Sequence, residues 1–125
     1  MAGECTLKYL AGRKYFCTVE LALQVIGGKW KPLILYRLSQ GAVQRFSELK
    51  RGIPSITQKM LTQQLRELED DGVVHRKVYA QVPPRVEYSL TDLGRSVMPV
   101  LEQLCRWGRD YEARMGARPG EDEVA

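Results

Sequence analysis

Several residue types needed for common enzyme and metal sites are scarce in this 125-residue sequence. His75 is the only histidine, so hydrolytic triads and histidine-rich metal sites lack their usual parts. The three cysteines, Cys5, Cys17 and Cys105, have no C-x-x-C spacing, which argues against a zinc site or a disulfide scaffold. The sequence therefore predicts a protein that is not an enzyme and that uses no metal or cofactor.

Long apolar segments are also missing. No run approaches the roughly 18 consecutive apolar residues that a membrane-spanning helix needs. The first residues, MAGECTLKYL, lack the apolar stretch of a secretory signal. With 44% hydrophobic residues, the chain has enough apolar side chains for one modest core. We expect a single cytoplasmic domain that does not contact a membrane.

Acidic residues are almost absent between residues 26 and 66. This stretch holds eight lysines and arginines against the single acid Glu48, a net charge of +7, whereas the whole chain carries +4. The five residues that follow, ELEDD, contain four acids. A block of positive charge this strong favours a polyanionic partner over an ordinary solvated surface.

Hydrophobic periodicity and turn residues predict helices in the first half of the chain and a hairpin after them. We expect helices over four segments: 19–28, 29–41, 45–53 and 55–71. For the fourth helix, Ser55 and Gln58 have the spacing of a capping box, and Thr57 is a competing N-cap. Two segments rich in β-branched and aromatic residues, 73–80 and 85–91, flank the turn QVPP and predict a hairpin.

The ends of the chain have less regular patterns. Residues 1–16 are expected to form an arm or a short helix. A long helix over residues 92–115 follows the N-cap Thr91, and Pro99 should bend or divide it. Residues 116–125, rich in glycine, proline and acid, predict a disordered tail. The element order indicates a mainly α (α+β) winged helix-turn-helix domain over residues 17–115, with the hairpin as its wing.

The fourth helix has an outer face without acids. Leu61, Leu65 and Leu68 mark its buried side. Amide, hydroxyl and basic side chains lie away from that side: Gln58, Lys59, Thr62, Gln63 and Arg66. These residue types hydrogen-bond base edges and phosphates, whereas a carboxylate there would be repelled by phosphate. This face is therefore the predicted DNA-reading surface.

Basic residues before and after this helix extend the predicted surface. The preceding helix supplies Arg45, Lys50 and Arg51 for contacts with the DNA backbone. The hairpin supplies Lys77 and Arg85 near its turn. Two helices and a wing, all electropositive, predict one continuous interface with double-stranded DNA.

A family resemblance is carried by five stretches in fixed order: GGKW, RFSEL, ITQKMLTQQLRELE, VPPRVEYSLT and LG. Between about Cys17 and Trp107 the sequence closely resembles the HxlR-type branch of winged-helix bacterial transcription regulators, neighbours of the MarR group. The resemblance implies a homodimeric DNA-binding protein, and we expect a transcriptional repressor whose two-fold symmetry predicts a pseudo-palindromic operator. The resemblance adds Thr57 to the groove-entering residues, and it implies that the wing from Tyr79 through Gln81 to Arg85 approaches the flanking DNA.

The resemblance also implies that the first and last helices, the latter over residues 91–115, form the dimer interface. The final helix carries an apolar stripe that fits this role: Val97, Val100, Leu101, Leu104, Trp107 and Tyr111. A two-fold dimer would place half-sites about one helical turn of DNA apart, or a multiple of it.

Family members often have a cysteine just before the first core helix, and several are thiol switches. Cys17 matches that place, although Thr18 stands where the family usually has proline. A helix N-terminus and the nearby Arg13 and Lys14 would favour a reactive thiolate. The resemblance thus implies that an oxidant or small electrophile acts as inducer, with Cys5 or Cys105 as the open choice of disulfide partner.

Three other functions remain open at this point. They are a winged-helix module that binds protein, a regulator controlled by a non-covalent small-molecule ligand, and a small thiol enzyme using Cys17. DNA binding through several phosphates would weaken steeply with salt, and protein binding would not. The enzyme is poorly supported because His75 is predicted on a strand far along the chain.

Overall fold

The computed structural model describes residues 5–41 and 43–120. The elements follow one another in this order: β1 (Lys8–Leu10), β2 (Arg13–Tyr15), α1 (Thr18–Ile26), α2 (Trp30–Ser39), β3 (Gln44–Arg45), α3 (Phe46–Gly52), α4 (Gln58–Asp70), β4 (Val74–Tyr79), β5 (Arg85–Leu90), α5 (Asp92–Arg95) and α6 (Met98–Met115). All the core helices and both wing strands expected from the sequence are present. No helix in the described part of the chain is long and apolar enough to cross a membrane.

The core forms around α2, which packs against α3, α4, β5 and α6. Its Ile34, Leu35 and Leu38 are fully or almost fully buried. The leucines predicted for the inner side of α4 complete this core: Leu61, Leu65 and Leu68. Burying each such side chain contributes about 1.5–3 kcal/mol, so the apolar stripe of α4 fixes which face of that helix points outward.

The turn between α3 and α4 corrects the expected capping. Thr57 is the N-cap, and its hydroxyl oxygen accepts a hydrogen bond from the Met60 N–H at 3.0 Å. Ser55, the other candidate, has φ of 75° and lies within the turn. Ser55 has its backbone in the left-handed region two residues before the N-cap, which is too early in the chain to cap the helix, so the predicted box with Gln58 does not form.

The wing belongs to a three-stranded antiparallel sheet with strand order β3-β5-β4. Its register pairs Val74 with Leu90 at the base and Tyr79 with Arg85 near the tip. The strand β3, which pairs Gln44 with Tyr88, was not predicted. Gly72, with φ of 80°, turns the chain from the end of α4 into this wing.

Residues 8–15 form a hairpin, where an arm or short helix was expected. Lys8 pairs with Tyr15 across the two strands, and the turn residues Ala11 and Gly12 both have positive φ, as a type I′ turn requires. The first four residues of the expected arm lie outside the described residues. The N-terminal segment therefore has a defined shape of its own beside α1.

The C-terminal segment is divided, as Pro99 predicted. Pro99 lies in the first turn of α6, which follows the short α5. Thr91 caps α5, accepting a hydrogen bond from the Gly94 N–H at 3.0 Å. Of the expected disordered tail, residues 117–120 have no regular secondary structure and residues 121–125 lie outside the described residues.

Candidate nucleic-acid interface

The outward face of α4 carries the five side chains predicted to read DNA. All five are exposed, and together they line one shallow open groove: Gln58, Lys59, Thr62, Gln63 and Arg66. Thr57, added by the family resemblance, is exposed at the start of the same helix. No acid lines this groove, so it presents a polar and positively charged surface of the kind that phosphate attracts.

These side chains differ in how free they are. The Thr62 hydroxyl donates to the Gln58 carbonyl oxygen at 2.8 Å, and the Gln63 Nε2 donates to Glu67 Oε2 at 3.3 Å. Within residues 5–41 and 43–120, no hydrogen bond or ion pair holds the side chains of Gln58, Lys59 or Arg66. Those three side chains are therefore free to reorient toward a ligand, whereas the side chains of Thr62 and Gln63 are already held in one orientation by hydrogen bonds.

A salt bridge behind the groove was not foreseen from the sequence. Lys31 of α2 is 7% exposed, and its Nζ lies 2.7 Å from Glu67 Oε1. The hydrogen bonds from Lys31, first, and Gln63 hold the pKa of Glu67 below its usual range. Lys31 counted toward the basic surface in the sequence, but it is buried and neutralises the acid nearest the groove.

The basic residues of α3 are exposed at its two ends. Arg45 precedes the helix, and its backbone N–H donates to Glu48 Oε1 at 2.8 Å. Lys50 and Arg51 lie in the last turn. All three basic side chains are exposed, as contacts with the DNA backbone require, and their predicted role stays a prediction.

Two cations of the wing are organised by one aromatic ring. Lys77 Nζ lies 4.9 Å and Arg85 Cζ 4.1 Å from the centroid of the Tyr79 ring, within the range of cation–π attraction. Arg85 Nε also lies 3.4 Å from Glu87 Oε2. Lys77 and Gln81 are exposed, whereas Tyr79 and Arg85 are half-buried. The Tyr79 ring therefore holds the two cations of the wing, in addition to being a predicted DNA contact itself.

The apolar stripe of α6 is divided between the core and the surface. Leu101 is 4% exposed and Val97 packs against the core, which corrects the prediction that both belong to a dimer interface. The remaining four predicted residues are about half exposed or more: Val100, Leu104, Trp107 and Tyr111. The rings of the last two stack with centroids 5.2 Å apart. α6 packs against α2, and Leu101 belongs to the buried core.

Cys17 is the N-cap residue of α1. Its pKa is lowered, foremost by the backbone N–H of Val19 and next by the thiol of Cys5, although no N–H of the first turn closes a full capping bond to the sulfur. The pKa of Cys5 is raised, chiefly by its hydrogen bond and charge interaction with Cys17. Cys105 lies on α6, where Arg109 Nη1 donates to its sulfur at 3.2 Å.

The model of the HxlR-like helix-turn-helix family matches residues 25–115. The chain belongs to the HxlR-like helix-turn-helix family. The match covers α2 to α6, including every residue predicted to contact DNA.

Relatives of this HxlR-like protein fit the same reading. It is 56% identical over 112 residues to the HTH-type transcriptional regulator YkvN of Bacillus subtilis, covering 90% of this chain and 93% of that protein. The redox regulator HypR in its reduced form is 52% identical with a TM-score of 0.76, over 82% of this chain and all of HypR. Diamide-treated YodB from B. subtilis is 35% identical with a TM-score of 0.63, over 75% and 92%.

The winged helix-turn-helix fold predicted from the sequence is thereby confirmed, and this HxlR-like chain is a DNA-binding transcriptional regulator. The five residues predicted to read DNA line one exposed groove of α4, and their role in reading DNA stays a prediction. The sequence missed Lys31 and Glu67, since nothing in a linear pattern signals that a lysine of α2 lies beneath the face of α4.

Proposed function

We propose that this HxlR-like regulator is a homodimeric repressor that binds a pseudo-palindromic operator in double-stranded DNA through α4 and is released by oxidants or electrophiles at Cys17. The acid-free groove of α4 carries the proposal, since its exposed residues are of the types that hydrogen-bond base edges. Bound over a promoter, such a dimer would exclude RNA polymerase.

The chemistry of the groove assigns a role to each residue type. Arg66 and Lys59 suit guanine O6 and N7 or a phosphate, while Gln58 and Gln63 suit adenine. Thr57 and Thr62 suit a thymine methyl group or a phosphate. Arg45, Lys50 and Arg51 on one side, and the wing cations Lys77 and Arg85 on the other, would then contact the backbone beside the groove.

Dimerisation is supported by the exposure of α6. Every residue from 106 to 115 is exposed, and Trp107 alone leaves 66% of its surface in water. Val19 and Leu23 of α1 add further exposed apolar surface. An apolar patch of this kind marks an interaction site on a soluble protein, and a second copy of the chain would cover it with two-fold symmetry.

Regulation at Cys17 is supported by its place at the start of a helix and by its lowered pKa. It is also in keeping with the similarity to a protein named as a redox regulator and to one whose structure was determined after diamide treatment. The thiolate is the form of cysteine that reacts with oxidants and electrophiles, and a lowered pKa raises the fraction of thiolate at neutral pH.

Footprinting on the DNA upstream of the protein's own gene tests DNA binding. We expect a protected two-fold site whose affinity falls steeply with salt. Arg66→Ala and Gln58→Ala should each cost about 1–3 kcal/mol, or about 5- to 150-fold in Kd, if they contact bases. Arg118→Ala, an exposed arginine beyond the end of α6, is the matched control and should bind normally. Normal operator binding by both groove variants would refute the assignment.

The redox part has its own test. Diamide should release the wild-type protein from the operator, whereas Cys17→Ser should bind with unchanged affinity and stay bound. Equal release of both proteins would remove Cys17 from the mechanism while leaving the DNA-binding proposal intact.

A further inference from the structure

The N-terminal hairpin brings two cysteines together. Its register pairs Lys8 with Tyr15 and Tyr9 with Lys14. Cys5 lies three residues before β1 and Cys17 two residues after β2, so both cysteines lie at the open end of the hairpin. The positive φ values at the tight turn of Ala11 and Gly12 are what fold the chain back on itself. The proximity of the two thiols is thus a product of backbone geometry.

The two thiols interact and differ in character. The hydrogen bond with Cys17 raises the pKa of Cys5, whereas the pKa of Cys17 is lowered first by the backbone N–H of Val19 and next by Cys5. Neither sulfur is engaged in a disulfide. Cys5 is exposed and Cys17 half-exposed, so small oxidants can reach both. This arrangement makes Cys17 the nucleophile and leaves Cys5 as the thiol that can attack Cys17 once it is oxidised.

We infer that Cys5 and Cys17 form one oxidation site that closes an intramolecular disulfide within a single subunit, with Cys5 as the resolving thiol. The inference rests on the proposed regulation at Cys17 and deepens it. Cys105, the other candidate partner, lies on α6 beside Arg109 and takes no part.

The chemistry with a hydroperoxide balances in two steps. The Cys17 thiolate attacks the terminal oxygen, the O–O bond breaks, and an alcohol leaves with a proton while Cys17 becomes a sulfenic acid. The Cys5 thiol then loses its proton and attacks the Cys17 sulfur. The S–O bond breaks and water leaves as the S–S bond forms. In total, the two thiols lose two electrons and two protons, and the hydroperoxide is reduced to alcohol and water.

Peptide mapping of the oxidised full-length protein tests the inference. The protein is treated with a hydroperoxide, its remaining thiols are alkylated, and it is digested with trypsin without reduction. We expect the peptide ending at Lys8 to be linked to the peptide 15–29, in a chain that runs as a monomer on a non-reducing gel. Cys105 should remain alkylated. A link between two chains, or no link at all, would overturn the inference.

Single-cysteine variants sharpen the result. Cys105→Ser should form the cross-link to the same extent as the wild type. Cys5→Ser should lose it entirely and accumulate a Cys17 sulfenic acid that dimedone traps. A disulfide from Cys17 to Cys105 in the Cys5→Ser variant at wild-type rate would count against Cys5 as the resolving thiol.

Failure of this inference and failure of the proposed function are distinguishable. If oxidant releases the wild-type protein from DNA in a Cys17-dependent manner but the 5–17 link never forms, the regulation stands and the choice of Cys5 is wrong. If the link forms while DNA binding is unchanged, the oxidation site stands and the proposed regulation is wrong.

Discussion

The two hairpins of this protein are built alike and held in place differently. The wing pairs six residues on each strand, joins β3 in a three-stranded sheet, and buries Val74, Tyr88 and Leu90 in the core. The N-terminal hairpin pairs only three residues on each strand, and none of its strand residues is buried. A two-stranded hairpin without a buried face is marginally stable by itself.

The N-terminal hairpin instead depends on a few polar contacts. Arg13 Nη2 lies 2.7 Å from Asp71 Oδ2 at the end of α4, and Gln24 Nε2 donates to the Lys14 carbonyl oxygen at 3.0 Å. The comparison shows that packing against the core holds the backbone of the wing, and with it the positions of Lys77 and Arg85. The hairpin that carries the thiols can change its local structure at little cost to the domain.

The largest expected difference between the hairpins is in global stability. Leu90→Ala at the base of the wing should lower the free energy of unfolding by about 2–4 kcal/mol, because Leu90 is 9% exposed and its loss leaves a cavity. Leu10→Ala, at a position 53% exposed, should cost under about 0.5 kcal/mol. Urea unfolding followed by circular dichroism measures both. Equal losses would mean that the N-terminal hairpin is part of the core.

A smaller effect is expected from the ion pair between the hairpin and α4. Arg13→Ala should cost about 1 kcal/mol or less in global stability, since the Arg13 side chain is 31% exposed. It should nevertheless speed hydrogen exchange of the backbone amides in residues 8–15. Arg76→Ala, at an exposed position on β4, is the control and should leave exchange in the wing unchanged. Unaltered exchange in the hairpin would show that other contacts hold it.

The smallest effect concerns the ionisation of Cys17. The pKa of Cys17 is lowered first by the Val19 N–H and then by the Cys5 thiol. The rate at which Cys17 is alkylated in the folded protein, measured in peptide 15–29, should therefore have its pH midpoint below that of Cys17 in the urea-unfolded chain. Removing one of these donors with Cys5→Ala should move the midpoint upward. Iodoacetamide rates followed by mass spectrometry between pH 5 and 10 check this. A native midpoint at or above the unfolded one would contradict the described environment.

The comparison also shows which parts of the fold a sequence can predict. The wing was predicted because its strands are long, rich in β-branched and aromatic residues, and separated by a turn with two prolines. The N-terminal hairpin has strands of three residues, and Ala11–Gly12 is not among the strongest hairpin signals. The two-residue β3 carries no pattern at all. Short elements leave too few residues for a period to be detected.

The positions of the candidate site residues could be predicted to a similar extent. The helical spacing of Leu61, Leu65 and Leu68 fixed the outward face of α4, and the exposed groove follows that spacing. Spacing along α6 could not separate Leu101 from Leu104, because tertiary packing against the core decides which of them is covered. Whether Ser55 or Thr57 caps α4 depends on the backbone angle of Ser55, and the sequence alone does not reveal that angle.

The salt bridge beneath α4 has a consequence for base preference. Glu67 accepts hydrogen bonds from both Lys31 and Gln63, so the Gln63 amide must turn its nitrogen toward Glu67 and keep its oxygen available as an acceptor. In the major groove such an acceptor suits a base that displays an amino group, adenine or cytosine, over guanine or thymine. In the proposed complex with DNA, the buried Lys31 would thus influence, through Glu67, which base Gln63 selects.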